Sequence, residues 1–344
     1  MASKAQVPKF LKTATAGCRA LLKHYILGKP VPFSLVLVTN TTCNYRCSYC
    51  KIWERKDPEL TTTQIDGLID QAAQLGTARL GLTGGEPLLR DDIGHIISHA
   101  SSRGLYVSLN TNGSLVAERL QDLKDLDLIT LSFDGDETAH DRSKKKGAYG
   151  HVMQAIALAK RHNIEVSTTT TLTCDNLGAV DFVIGKAREL GFKAAFQLLH
   201  HPPAAAGDAS FLMPPDEQYR ECLRKLKAYK QQYPGTVLNS QRYFDILLEW
   251  PDYSKPVLDT FRGGPACKAG GLYCHIDVNG DVYPCHQLLK AVAPPNILDM
   301  PLAQALAALP RRQPCALCLA GDYLEYNLLF SLQPSAVMNV IKNF

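Results

Sequence analysis

The chain has no long uninterrupted apolar run, so nothing in its 344 residues reaches the roughly 20 residues that a helical membrane span requires. Its opening, MASKAQVPKFLKTATAGCRALLKHYILGKP, lacks the unbroken apolar stretch of a secretory signal peptide. There is no basic run interleaved with aromatics, and a net charge of +4 is too mild for a nucleic-acid groove, so no nucleic-acid partner is expected. Acidic residues are missing altogether before Glu54. The basic segment 1–32 sets Phe10, Ala14, Cys18, Leu21, Leu22 and Tyr25 on one helical face, with Lys9, Lys12, Arg19 and Lys23 elsewhere. An amphipathic helix covering the open end of the main domain is the favoured reading. A peripheral membrane contact is the other.

A fourth cysteine is missing beside three others. TNTTCNYRCSYCKIW, Thr39 to Trp53, holds Cys43, Cys47 and Cys50 with no companion nearby. A structural zinc site takes paired ligands, two and two, and a disulfide would strand one thiol. A cubane iron-sulfur cluster held by three thiolates keeps one iron open to an outside ligand, which suits this loop. Eleven cysteines in all, clustered rather than spread, fit metal ligation in a reducing cytoplasmic setting better than a secreted disulfide framework.

With 46% hydrophobic and 20% charged residues the chain can bury one large core and a smaller appendage. From residue 33 onward, short runs rich in Val, Leu, Ile and Thr (SLVLVTN, ARLGLTG, LYVSLNTN, LDLITLSFDG, IEVSTTTTLT, KAAFQLLH) alternate with amphipathic helical stretches such as TTTQIDGLIDQAAQLG. Six β/α units imply an α/β fold with a parallel sheet, short of the eight of a closed barrel, hence a partial (β/α)6 barrel. The expected divisions are the helix at 1–32, the barrel at 33–215, a helical linker at 216–262 and a C-terminal unit at 263–344 with a small β-hairpin. In such a fold the loops after the strands share one rim. They are the cysteine loop, TGGEP (Thr83–Pro87), NTNG and SFDGD.

The three-cysteine spacing with Tyr49 before the third, together with TGGEP, resembles the radical S-adenosylmethionine (SAM) enzymes over about residues 33–200. The resemblance implies a [4Fe-4S] cluster on Cys43, Cys47 and Cys50, its fourth iron taken by the amine and carboxylate of S-adenosylmethionine. Gly84, Gly85 and Pro87 would belong to the cofactor-binding motif, the glycines letting backbone come close, and Glu86 would accept a hydrogen bond from the cofactor ammonium. Ser132 and Asp134 would make polar contacts to the cofactor. Arg142, in HDRSKKKG, would be the basic residue near its carboxylate, in a pattern stretched by Lys144 to Lys146.

A second group, Cys267, Cys274, Cys285, Cys315 and Cys318, surrounds HIDVNGDVYP, where Asn279-Gly280 signals a hairpin. This resembles the auxiliary-cluster region of the SPASM and twitch subgroup. No cysteine follows Cys318, so one auxiliary [4Fe-4S] cluster is implied, on Cys267, Cys285, Cys315 and Cys318, with Cys274 an extra thiol or a competing ligand. A zinc site on the same four is the alternative. His286 stands where related enzymes carry an acidic base. It is read either as the group that takes a substrate proton or as a hydrogen-bonding or surface residue. His200 and His201 are weaker candidates for the cavity wall, and Cys18, Cys174 and Cys222 are structural.

The implied activity uses a flavodoxin or ferredoxin as electron donor, with the auxiliary cluster accepting an electron or positioning the substrate radical. About thirty residues precede the first strand, too few for a leader-binding domain of ordinary size, so a small-molecule or lipid-like substrate is expected rather than a peptide. A peptide maturase and a non-catalytic iron-sulfur or zinc module are the alternatives.

Overall fold

The computed structural model describes residues 9–28, 30–200 and 209–343. After helix α1 (Lys9–Leu27) come six strands: β1 (Ser34–Val38), β2 (Arg79–Thr83), β3 (Tyr106–Thr111), β4 (Leu128–Ser132), β5 (Glu165–Leu172) and β6 (Lys193–Leu198). They pair in parallel and in sequence order, the partial barrel expected of the α/β pattern. Helices α2 (Thr62–Leu75), α3 (Ile93–Ser102), α4 (Glu137–Ser143), α5 (Ala148–Arg161) and α6 (Val180–Leu190) lie between strands. The β3–β4 connection makes only a short 3-10 turn at Leu120–Leu123. Local chemistry sets the boundaries of α2. Thr61 and Gln64 form a reciprocal capping box at its start, and Gly76 closes it at φ 97°, a conformation that disfavours any residue with a Cβ.

Strand alternation sorts the side chains. Leu35, Leu37, Leu80, Leu82, Leu109, Ile129 and Leu131 are buried in one cluster with Ile65, Leu68, Ile96, Val152 and Ile184 of the helices. Each such side chain contributes about 1.5–3 kcal/mol on burial. The opposite parity carries Gly81, Ser108, Thr130, Ser132, Ser167, Thr169, Thr171 and Gln197. Thr130 Oγ1 lies 2.9 Å from Ser167 Oγ, and Gln197 Nε2 donates to Thr171 Oγ1 at 3.1 Å. On β4 and β5 the inner face is thus rich in hydroxyls, whereas β1 contributes Val36 and Val38.

Beyond β6 follow α7 (Asp216–Gln232), α8 (Gln241–Leu248), β7 (Val257–Leu258), β8 (Tyr273–Ile276), β9 (Val282–Tyr283), α9 (Leu302–Ala308), β10 (Leu317–Cys318), α10 (Gly321–Phe330) and α11 (Pro334–Asn343). The hairpin β8–β9 forms around Asn279-Gly280 as expected, with Gly280 at φ 91°. It does not stand apart from the barrel. Strand β8 pairs in parallel with β1, so the hairpin extends one eight-stranded sheet and covers the backbone edge that β1 would otherwise expose.

Helix α1 seats Ala20 in a cluster with Phe33, and a Cβ on Gly17 would come within 3.0 Å of the Phe33 ring. Tyr25 donates to the Phe330 carbonyl at 3.0 Å and Lys23 to that of Leu75 at 3.3 Å. Leu22 and Ile26 face solvent. The side chains of Lys9, Phe10, Lys12 and Ala14 lie outside the described residues, as does His201. No described helix is long and apolar enough to cross a membrane.

Candidate active site

The cysteine loop leaves β1 and is held from both sides. Gly85 N donates to Asn40 O at 2.9 Å and Glu86 N to Thr42 O at 2.8 Å, so the TGGEP segment lies directly on the root of the loop. A Cβ on Gly85 would sit 2.2 Å from Thr42 O, and one on Gly84 2.5 Å from Asn40 O. Only glycine allows that contact. The fully buried Glu86 carboxylate accepts from Leu88 N (3.1 Å), Thr111 Oγ1 (2.7 Å) and Asn112 N (2.8 Å). Burial pushes its carboxyl up, and those three bonds oppose the shift. Glu86 therefore ties the β2 loop to the β3 loop, leaving one acceptor position unused. Pro87 is buried at the start of the next turn. From Asn112 the chain of bonds runs to Asn44 in the cysteine loop (2.8 Å) and from there back to Ser114 beside Asn112 (2.9 Å).

Within that loop Cys50 N donates to Cys47 O at 3.1 Å, Trp53 Nε1 to Cys50 O at 3.2 Å, and Tyr45 N to Cys43 Sγ at 3.5 Å. Arg46 donates to Cys43 O at 2.7 Å and stacks 4.4 Å over the Trp53 ring. Burial pushes the Cys47 thiol up to about 11, and Cys50 and Cys43 each add to the shift, so the three sulfurs are within electrostatic range of one another. Cys43 is raised by burial too. Thiols clustered this way are disfavoured as free anions and favoured as ligands of a cation. Three sulfurs from one half-buried loop fit an iron-sulfur cluster with one iron open.

Tyr49 reaches across to β4. Its hydroxyl donates to Asp134 Oδ2 at 2.9 Å, and Lys144 Nζ lies 3.1 Å from the same oxygen while bonding the Tyr49 hydroxyl. Ser143 Oγ donates to Oδ2 at 2.8 Å and Thr171 N to Oδ1 at 3.1 Å. Burial opposes ionisation of Asp134, but Lys144, His140 and the hydrogen bonds outweigh it and hold the carboxyl below its usual range. Burial likewise opposes the charge on Lys144, and Asp134 overrides it. Arg142 is 60% exposed and pairs with Asp175 at 3.9 Å. Sequence reasoning missed that Lys144 is the basic side chain buried here. Its only signal was its place, four residues after His140, one turn of α4 onward. Ser132 is half-buried at the end of β4, in register with Thr169.

The C-terminal cysteines separate into four and one. Cys267, Cys285 and Cys318 belong to one buried cluster with Tyr273 and Tyr323, whereas Cys274 belongs to the main core with Ile276. Alternation on β8 sends Cys274 to the helix side. Burial pushes Cys285 up to about 12, with Cys267 and Cys315 adding to the shift, and raises Cys318 through burial and then the other three. Cys274 is raised by burial alone. Strand β10, which carries Cys318, pairs antiparallel with β7. Tyr273 stacks on Tyr323 and Tyr326 (5.0 and 5.6 Å) and donates to Asn327 Oδ1 at 2.9 Å, walling the four thiols.

His286 is enclosed rather than on the surface. Its Nε2 lies 3.2 Å from Nε2 of His200, and its ring packs 5.0 Å from that of Tyr323. This contact joins the segment just after β6 to the turn that follows β9, bringing the two edges of the sheet together. Burial, then His200 and His275, hold the His286 imidazole well below its usual range, hence neutral. His275 on β8, also unanticipated, is buried 6.4 Å from the His286 ring centre, and neither of its nitrogens has a partner among the described residues.

Residues 37–177 match the Radical SAM superfamily. The chain is 28% identical over 286 residues to the PqqA peptide cyclase of Gluconobacter oxydans (strain 621H), covering 79% of this chain and 76% of that one. It is 26% identical over 280 residues to the AdoMet-dependent heme synthase of Nitratidesulfovibrio vulgaris (strain Hildenborough), covering 76% and 75%. The fold superposes on Streptococcus suis SuiB bound to precursor peptide SuiA with a TM-score of 0.63 at 17% identity, over 89% of this chain and 71% of that one. The three-cysteine loop braced by a glycine-glycine-glutamate turn lies within the matched stretch, so residues 37–177 form a radical SAM domain, and the chain is similar over most of its length to enzymes that carry one.

Proposed function

We propose that the enzyme takes a hydrogen atom from a polar, peptide-like substrate held against the inner face of the barrel, assisted by a second [4Fe-4S] cluster. The observation that carries this reading is the hydroxyl-rich inner face, with its Thr130–Ser167 and Gln197–Thr171 pairs. These hydroxyl and amide groups have hydrogen-bonding positions left over that a peptide backbone can engage, whereas a lipid-like substrate offers them no partner. The relative named as a peptide cyclase and the neighbour bound to a precursor peptide support the choice of peptide. The heme synthase relative favours a small molecule as the second reading.

When bound, the first cluster and S-adenosylmethionine supply a carbon radical that removes the hydrogen. The chain's own residues hold and shield. Cys43, Cys47 and Cys50 provide three thiolates. Lys144, its charge fixed by Asp134, would be the basic group for the cofactor carboxylate in place of the exposed Arg142, and Ser132, at the end of β4, would offer a hydroxyl from the inner face. Glu86 acts by fixing the backbone of Gly84, Gly85 and Asn112. Cys267, Cys285, Cys315 and Cys318 would hold the second cluster, as in the SPASM and twitch subgroup, and the neutral His286 would accept a substrate proton at Nε2. A flavodoxin or ferredoxin supplies electrons in the reducing cytoplasm, where eleven free thiols would survive.

The test is anaerobic reconstitution followed by cleavage of S-adenosylmethionine under a chemical reductant, then comparison of peptides and metabolites from cells with and without the gene. A peptide of altered mass supports the first reading. A change confined to small metabolites supports the second, and absence of cofactor cleavage defeats both.

A further inference from the structure

Helices α2 and α3 pack side by side on the outer layer of the barrel, and each carries a polar pair one turn apart, which puts both members on one face. On α3 these are His95 and His99, their rings stacked with centres 5.9 Å apart. On α2 they are Asp66 and Asp70. His95 Nε2 lies 2.8 Å from Asp66 Oδ2, and His99 Nε2 lies 2.8 Å from Asp70 Oδ1. Asp70 is additionally gripped by Arg103 at 2.6 and 3.1 Å. The other oxygen of Asp66 is shielded from solvent and has no hydrogen-bond partner among the described residues. One donor atom from each of Asp66, His95 and His99 lies within 4.8 Å of the other two.

We propose that Asp66, His95 and His99 form a binding site for a divalent transition metal of the zinc class, separate from both cysteine groups. Two imidazoles, one carboxylate and a water make a four-coordinate zinc set, with bonds of about 2.0–2.2 Å. Donors already this close converge on such an ion by side-chain adjustment alone. The metal takes the place of the proton now shared between each ring and its carboxylate. Asp70 loses its His99 partner but keeps Arg103, so no charge is left uncompensated. The carboxylate and nitrogen donors suit zinc, whereas a soft ion would choose the thiolates.

The position gives the site a purpose. Helix α2 carries the chain out of the cysteine loop and α3 carries it out of the TGGEP turn. An ion bridging them would clamp together the two elements that follow the two halves of the cofactor site.

The test uses protein whose iron-sulfur clusters have been formed first, so that the cysteine sulfurs are engaged. It is dialysed against buffered zinc sulfate, and zinc and iron are counted per chain. The wild type is expected to take up about one extra zinc with its iron unchanged, and the double variant His95→Asn/His99→Asn none. The single variant Asp66→Asn, which keeps size and fold, should weaken zinc binding at least about tenfold, the lower end of what even an outer hydrogen-bond partner contributes. Iron content and cofactor cleavage in each variant should match the wild type, which confirms folding. Equal zinc in wild type and variants, no zinc in any of them, or zinc that rises only as iron falls, overturns the assignment.

Discussion

Lys144 and Asp134 form an ion pair of 3.1 Å with side chains 3% and 0% exposed, directly behind Tyr49 of the cysteine loop. Removing one partner of a buried pair leaves the other charge unpaired, which costs about 3–5 kcal/mol. Lys144→Met should lose that much in denaturant unfolding. The double variant Asp134→Asn/Lys144→Met should lose clearly less than the sum of the two single changes. Additive losses would show that the two side chains do not interact.

Reconstituted protein should hold about eight irons, about four at each site. Changing Cys43, Cys47 and Cys50 to Ala should halve the iron and abolish cleavage of S-adenosylmethionine. Zinc in place of half the iron, from cells grown with ample iron, would instead mark the C-terminal site as a zinc centre.

Because Cys274 packs in the main core while the other four thiols lie within electrostatic range of one another, Cys274→Ala should leave iron content unchanged. Cys318→Ala should remove the auxiliary iron. Loss of iron in the Cys274 variant would place that thiol among the ligands.

His286→Gln should keep both clusters and the cleavage of S-adenosylmethionine, while lowering product formation by on the order of a hundredfold, as loss of a general base does. Measuring 5′-deoxyadenosine and product together separates the steps. Unchanged product would remove the proton-accepting role, and loss of auxiliary iron would assign His286 to support of the cluster.

Stability should fall with acid partly through His140. It is buried, it accepts from Asp134 N at 3.0 Å, and burial followed by the charge of Lys144 lowers its pKa to about 4. Its folded pKa lies below the unfolded value, so its contribution is present above about 6.5 and is lost as pH falls toward 4. The loss is at most roughly 3 kcal/mol. His140→Asn, which can still accept from Asp134 N, should show a shallower decline between pH 7 and 4. Parallel curves for the two proteins would exclude the effect.

What the sequence determined by itself is whatever depends on neighbours along the chain. The period-2 runs became β1 to β6, the period-3.6 stretches became helices, and Asn279-Gly280 turned the hairpin, because alternation and turn chemistry act locally. The three-cysteine loop and TGGEP were legible for the same reason, being short segments whose spacing carries their chemistry. Tertiary structure decided which face each side chain takes. Five C-terminal cysteines look alike in one dimension, and only the pairing of β8 with β1 sends Cys274 to the helix side, away from Cys267, Cys285 and Cys318. Arg142 and Lys144 are equally basic on paper. Only the fold buries Lys144 against Asp134 and leaves Arg142 exposed. Glu86 stands out as one residue of TGGEP in the sequence, and only the fold shows that Leu88, Thr111 and Asn112 also bond its carboxylate. His200, just after β6, meets His275 and His286 of a hairpin far along the chain, as Asp66 and His95 come from different helices. Such meetings depend on closing long loops and burying shared surfaces, and a linear pattern holds no record of either.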